Sequence, residues 1–344
     1  MAPNKAGYLS KICERTVHKL SCILARAAEE FPSSMGVPIK TFYLWGEEGK
    51  PSLVSPESIA LYWFLNGYYE ERMSSEIVFA NNTDLSPNEE LPLLVNGSKR
   101  LSGFVNIVNS LAEREEDGTG ANEDIEMLLL RDGLLEYTNE LTVLTDYQLY
   151  LNRVNYETFT RGAFSKLLYW PMWYNTPINY RALTRQRCTD TLGYLLHDDD
   201  PDKLDDFNID SANLAQSKTF KVSQARKMRS KEELQNAKHN VQFLEELTRH
   251  LEIWIQIREH IKSDKVITAD LLMWANVYVQ LNLPEGGRIG KHIASKLGDD
   301  FLQTLKVQLK VCSSLETKVP QRDPTFQEQG NVIMSLCNRV QKFV

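Results

Sequence analysis

Residues 42–111 constrain the fold of this chain more than any other stretch, because their hydrophobic pattern changes period several times in quick succession. Residues 42–45 are an aromatic run of strand length that stops at Gly46. Ser55-Pro56 marks a helix start: a hydroxyl that can accept from an early backbone N–H, then a proline where the missing N–H costs nothing. Glu57 falls in the first turn, where the helix dipole favours an acid. Residues 77–79 and 91–95 are apolar runs of buried-strand length. Asn96-Gly97 ahead of Ser98 is a two-residue hairpin signal. Phe104, Ile107, Val108 and Leu111 recur at helical spacing. Between Asn82 and Glu90 there is room for one helical turn at most.

Strand, helix, strand, hairpin and helix in that order make the thioredoxin-like layout. Pro92 stands at the entry to a strand, where glutathione-transferase-like domains keep a structural cis-proline, so Leu91-Pro92 is the expected cis bond. After Leu111 the charged, glycine-bearing run EREEDGTGANED reads as an interdomain linker over 115–122. From residue 123 onward the pattern is helical. Ile125, Leu128, Leu129 and Leu135 give one stripe, interrupted by Gly133. Val241, Leu244, Leu247, Leu251, Trp254 and Ile261 line a long helix whose outer face carries Glu245, Arg249, Glu252 and Glu259. Residues 269–281 are apolar on nearly every side and should form the central buried helix, ended by Pro284 and Gly286-Gly287. Phe301, Leu305 and Leu309 give a further stripe, and a last helix is expected over 330–343.

The expected fold class is therefore α+β and glutathione-transferase-like. A thioredoxin-like domain over 39–114 precedes an all-helical C-terminal domain over 123–344. Residues 1–38 differ from the rest. Their cations outnumber their acids and an apolar face is available, yet they read as an extension more than as a targeting helix.

The 344 residues suit two domains or one large one. A net charge of −7 gives no support to general nucleic-acid binding. Five cysteines, an odd number without tight pairing, point to a reducing compartment. The most apolar candidate span, 271–283, is too short to cross a bilayer and contains Asn276 and Gln280. Any membrane association is then peripheral or through a partner.

Catalytic patterns fail one by one. A redox thioredoxin needs a C-x-x-C after the first strand to make a low-pKa thiolate at a helix N-terminus, and GEEGKPSLVSPES has no cysteine. A glutathione transferase needs a Tyr, Ser or Cys there. Ser52, Ser55 and Ser58 supply hydroxyls, although Ser55 is better explained as a cap. The acid-serine pair those enzymes carry after the hairpin is here Leu101-Ser102-Gly103, without the acid. GGRIGKH, 286–292, lacks both the first glycine of a phosphate loop and the hydroxyl after Lys291. The acidic block 197–210 fails as a calcium loop, with Lys203 at the glycine position and Ile209 at the glutamate position. Six scattered histidines give no metal-ligand spacing. No catalytic, cofactor-binding or metal site is expected.

Two features remain as candidate interaction surfaces. Lys218, Lys221, Arg226, Lys227, Arg229 and Lys231 form a run with no acid among them. A solvated helix face is its commoner explanation, and anionic lipid or an acidic partner segment its functional one. KLLYWPMWYNTP, 166–177, sets Trp170, Trp173 and Tyr174 around Pro171, which breaks any regular helix. Such a corner is commonly buried. Its functional reading is an anchor for a partner or a membrane interface, since Trp and Tyr suit half-wet sites.

The strings YLWG, SPESIALYWF, IVFANNTDLS, LPLLV, SGFVNIVNSL, LTDYQLYLN, FSKLLYWPMWYNTP, LAQSKTFK, DLLMWANVYVQLNLP and QRDPTFQEQGNVIMSL closely resemble one family. It is the metaxin-like, thirty-seven-kilodalton subunit family of the fungal mitochondrial sorting and assembly machinery. The resemblance runs from about residue 43 to the C-terminus. It implies a non-enzymatic, cofactor-free subunit held peripherally on the cytosolic face of the mitochondrial outer membrane. The implied partners are the machinery's β-barrel subunit, a second metaxin-like subunit, the general outer-membrane translocase and transient β-barrel precursors. A glutathione-dependent enzyme and a soluble transferase-like adaptor are the alternatives.

Overall fold

A computed structural model describes residues 39–70, 72–119, 125–192, 218–261, 263 and 265–329, with backbone alone at 73, 113–119, 125, 190–192, 218–229, 231–233 and 235. The extension 1–38, the acidic block 197–210 and the expected helix 330–343 lie outside the described residues.

The fold is α+β: a small sheet in the N-terminal third, then mostly helices. Strand β1 is Lys40–Tyr43, followed by the short pair β2, Gly46–Glu47, and β3, Lys50–Pro51. Helix α1, Pro56–Gly67, starts where Ser55 and Pro56 dictate. The Ser58 N–H donates to Ser55 Oγ at 3.2 Å, and Pro56 opens the helix. Strand β4, Ser75–Val78, lies parallel to β1. One turn of 3-10 helix, Thr83–Leu85, fills the short connection to β5, Leu93–Asn96, and β6, Lys99–Ser102. The Leu91–Pro92 peptide is cis. Helix α2, Phe104–Thr119, buries Phe104, Ile107, Val108 and Leu111.

Two local expectations change here. Asn96 pairs with Lys99, so the hairpin loop is Gly97-Ser98, one residue later than Asn96-Gly97. Glycine at the first loop position supplies the positive φ, 61°, and Asn96 stays in the ladder. Helix α2 also runs through Thr119, so 115–119 of the expected linker are helical. Glu115 and Glu116 are good helix formers that extend a helix already nucleated, and propagation carries it through the poorer Asp117, Gly118 and Thr119.

The helical part begins with α3, Ile125–Asp146. Two π-helical turns, Tyr147–Leu151 and Tyr156–Thr160, flank the single turn α4, Arg153–Asn155. Then come α5, Arg161–Leu167; α6, Met172–Leu192; α7, Lys218–His260; α8, Thr268–Asn282; α9, Gly286–Leu297; and α10, Asp299–Ser313. Helix α8 is buried as expected and packs against both α1 and α3. Its polar residues are bonded inside the core. Thr145 Oγ1 donates to Asn276 Oδ1 at 2.6 Å, and Gln280 Nε2 donates to Thr145 Oγ1 at 2.9 Å.

Individual stripe members depart from the sequence pattern. Leu129 and Val241 are exposed, while Leu134 and Phe243 are buried in their place. The inward stripe of α3 is offset because Leu134, Leu135, Thr138 and Leu141, not Leu129, meet neighbouring helices. Gly286 and Gly287 do not end α8. Its last turn closes with Leu283 N–H donating to Val279 O, and the glycines open α9. Gly286 is held close to the Leu281 carbonyl, where a Cβ would collide.

A strand that the hydrophobic pattern does not announce completes the sheet. β7, Gln321–Arg322, pairs in parallel with β4, giving the order β6-β5-β1-β4-β7. The segment leading to it crosses α1. Asn66 Oδ1 accepts from the N–H groups of Lys318 and Val319, and Pro320 O accepts from Ile77 N. The buried apolar side chains of sheet and helices form one continuous core.

Candidate functional site

Between the sheet part and the helices lies a cleft of 470 Å³, lined among others by Trp45, Ser55, Glu57, Glu90, Asp146, Tyr150, Tyr180 and Arg187. The hydroxyls that sequence reasoning offered as thiol stabilisers are committed elsewhere. Ser55 Oγ caps α1. Ser58 is fully buried and its Oγ accepts from Trp45 N at 3.3 Å. Ser52 Oγ accepts from Val54 N at 3.5 Å. Ser102, in the position of the transferases' acid-serine pair, accepts from Asn88 Nδ2 at 2.9 Å.

The charge in the cleft belongs instead to three carboxylates around one guanidinium. Arg187 pairs with Glu90 and lies 3.6 Å from Asp146. Burial, with the charges of Glu90 and Asp146, pushes the Glu57 carboxyl up to about 7 against Arg187 and the Phe104 N–H. Burial also raises Asp146 to about 7, opposed by Arg187 and assisted by Glu90. Burial pushes the neighbouring Cys188 thiol up to about 12, which leaves it protonated and a poor nucleophile. Sequence reasoning missed this cluster because its members stand on three helices and the loop before β5, far apart in the chain. Glu57 alone carried a signal, as a first-turn acid.

The second location is the corner between α5 and α6. Phe164 and Leu168 point into the core. There Phe164 meets Trp45 edge-on at 5.5 Å, and Tyr180 stacks on Tyr150 at 5.4 Å. The chain then turns through the cis Trp170–Pro171 peptide. Tyr169 is 65% exposed, Trp170 73% and Tyr174 51%. Trp173, grouped with them in the sequence, packs partly against the core, with its N–H donating to Tyr169 O at 3.2 Å. Ile178, four residues after Tyr174 and so on the same helix face, is exposed as well.

Lys218, Lys221, Arg226, Lys227, Arg229 and Lys231 fall on the first turns of α7, where the structure describes backbone alone. Among the described residues no group of His, Cys, Asp and Glu could hold a metal ion. None of the described helices is long and apolar enough to cross a membrane.

Two family profiles match the chain, one on each half. The profile described as outer mitochondrial membrane transport complex protein, Tom37, matches residues 58–181. The Tom37 C-terminal domain matches residues 197–343. No individually curated protein sequence matches. The first match takes in most of α1, Glu90 and Asp146 of the cleft, and the aromatic corner; the second takes in the basic run and the strand β7 that returns to the sheet. The chain belongs to the Tom37 family of outer mitochondrial membrane transport complex proteins.

Proposed function

We propose that this chain is a non-enzymatic subunit of the outer-membrane sorting and assembly machinery. It supports insertion and release of β-barrel precursors and couples the machinery to the general translocase. The observation that carries the reading is the pair of Tom37 matches, which fall on both halves of one continuous core. In this reading the layout is glutathione-transferase-like. A thioredoxin-like unit over 39–114 and a helical domain over 123–344 serve as a docking scaffold on the cytosolic face, attached peripherally. The β-barrel subunit and a second metaxin-like subunit are its neighbours. The commitment of Ser55 and Ser58 to a cap and a strand-end bond supports a scaffold over a transferase.

Mild-detergent affinity purification of the tagged protein from mitochondria, followed by mass spectrometry, tests this. Recovery of an outer-membrane β-barrel assembly subunit together with a second metaxin-like protein is the expected result. Recovery alone, or with cytosolic factors, sinks the proposal and favours a soluble adaptor. A glutathione-dependent enzyme would be retained on immobilised glutathione and lose conjugation activity on Ser52→Ala, Ser55→Ala or Ser58→Ala.

A further inference from the structure

We infer that the α5–α6 corner is a lipid contact: Trp170, with Tyr169, Tyr174 and Ile178, inserts into the interfacial layer of an anionic membrane. The inference deepens the peripheral attachment just proposed and rests on outer-membrane membership, not on the β-barrel role.

Three observations carry it. The first is geometry. Large apolar side chains in this protein are mostly inside, yet four stand out together here, at 65%, 73%, 51% and 42% exposure. They are mounted rigidly, because Phe164 and Leu168 of the same corner are locked into the core. The second is residue type. Trp and Tyr combine an apolar body with a polar edge and suit the boundary between acyl chains and head groups. The third is charge. The chain as a whole has 39 basic and 46 acidic residues. The stretch 158–186 reverses that balance, with Arg161, Lys166, Arg181 and Arg185 and no acid, while Arg153 pairs with Glu157 at 3.0 Å and Arg187 is engaged in the cleft by Glu90 and Asp146. Arg161 and Lys166 are exposed beside the corner. A local cationic field on an acidic protein complements anionic head groups, and the aromatic tip adds the apolar term that electrostatics lacks. With no described helix able to span a bilayer, a shallow insertion of this kind is the attachment the surface fits.

The test is flotation of the purified full-length chain with vesicles of phosphatidylcholine alone and with added phosphatidylserine. The chain is expected to float with the anionic vesicles. Trp170→Ala should weaken that binding about tenfold, roughly the loss of one inserted aromatic anchor. Lys166→Glu should weaken it in a salt-sensitive way. Val241→Ser, another exposed apolar position, should leave it unchanged, and circular dichroism should show all variants folded. Lipids brominated near the head group should quench tryptophan fluorescence, and Trp170→Phe should remove most of that quenching. Full binding by Trp170→Ala overturns the inference, as does absence of binding to either vesicle. Loss only on Lys227→Glu with Arg229→Glu would move the lipid contact to α7 and overturn it too. If Trp170→Ala instead loses co-purifying proteins while vesicle binding persists, the corner is a protein contact. The vesicles hold no protein, so failure here is distinct from failure of the assembly reading.

Discussion

Arg322 reaches Glu76 across the edge of the sheet, Nη2 to Oε1 at 3.2 Å, although 246 residues separate them. The same guanidinium holds Glu328 at 2.8 Å, and Tyr43 of β1 donates to Glu328 at 2.6 Å. A strand from the far end of the described chain is thereby clamped onto the N-terminal sheet. The five-stranded sheet is not completed by residues 39–114 alone, because its edge strand β7 comes from 321–322.

Replacing Arg322 by Ala should loosen this clamp. The side chain is 35% exposed, so solvent screening tempers the effect, and a loss of about 1–2 kcal/mol is expected. Urea unfolding would measure it. Limited proteolysis should show faster cutting near residues 323–329 while the helical core persists.

Asn66 is the deeper anchor. It is fully buried, and its Oδ1 accepts from Lys318 N at 2.8 Å and Val319 N at 3.1 Å. Asn66→Ala leaves two backbone donors without an acceptor and should cost about 2–4 kcal/mol. Thermal denaturation should show a larger drop than for Arg322→Ala, and an equal or smaller drop would contradict the assignment.

The cleft carboxylates should give stability an unusual pH dependence. Glu57 rises from 4.5 to about 7 in the fold, so between those values the native state binds more protons than the unfolded chain. Stability therefore falls as pH rises through that window. Asp146 acts in the same sense between 3.8 and about 7. Glu328 acts oppositely. Burial would raise it, but hydrogen bonds from Arg322, Tyr43 and Thr325 hold it down to about 2, so its contribution is lost as pH falls from 4.5 through 2. Glu57→Gln keeps an acceptor for Phe104 N–H without the charge. It should stabilise the protein at pH 8 by on the order of 1–2 kcal/mol and change little at pH 5. Denaturant titrations at the two pH values would check this.

If the basic run at the start of α7 meets an acidic receptor segment of the translocase, charge reversal at Lys227 and Arg229 should weaken that coupling. The loss should be greatest at low ionic strength, because added salt already screens the wild-type contact. Pull-downs across a salt series, compared between wild type and the double variant, would read it. Equal recovery at low salt would remove this run from the interface.

The sequence by itself determined what local chemistry can determine. Ser55-Pro56 placed the start of α1, Pro92 marked the strand entry, and the apolarity of 269–281 on nearly every side placed the buried α8. These signals lie within a few residues of the feature they specify. Strand β7 was not legible, because Gln321-Arg322 is too short and too polar to carry a period, and its pairing with β4 exists only once Asn66 and Glu76 are in place. The same holds for the cleft. Glu57, Glu90, Asp146 and Arg187 come to act on one another only when three helices and the loop before β5 meet, which also desolvates Glu57 and Asp146. At the aromatic corner, proline placed the bend in the sequence. Which aromatics face outward was decided by the packing of Phe164 and Leu168 into the core, which leaves Tyr169 and Trp170 no interior to enter.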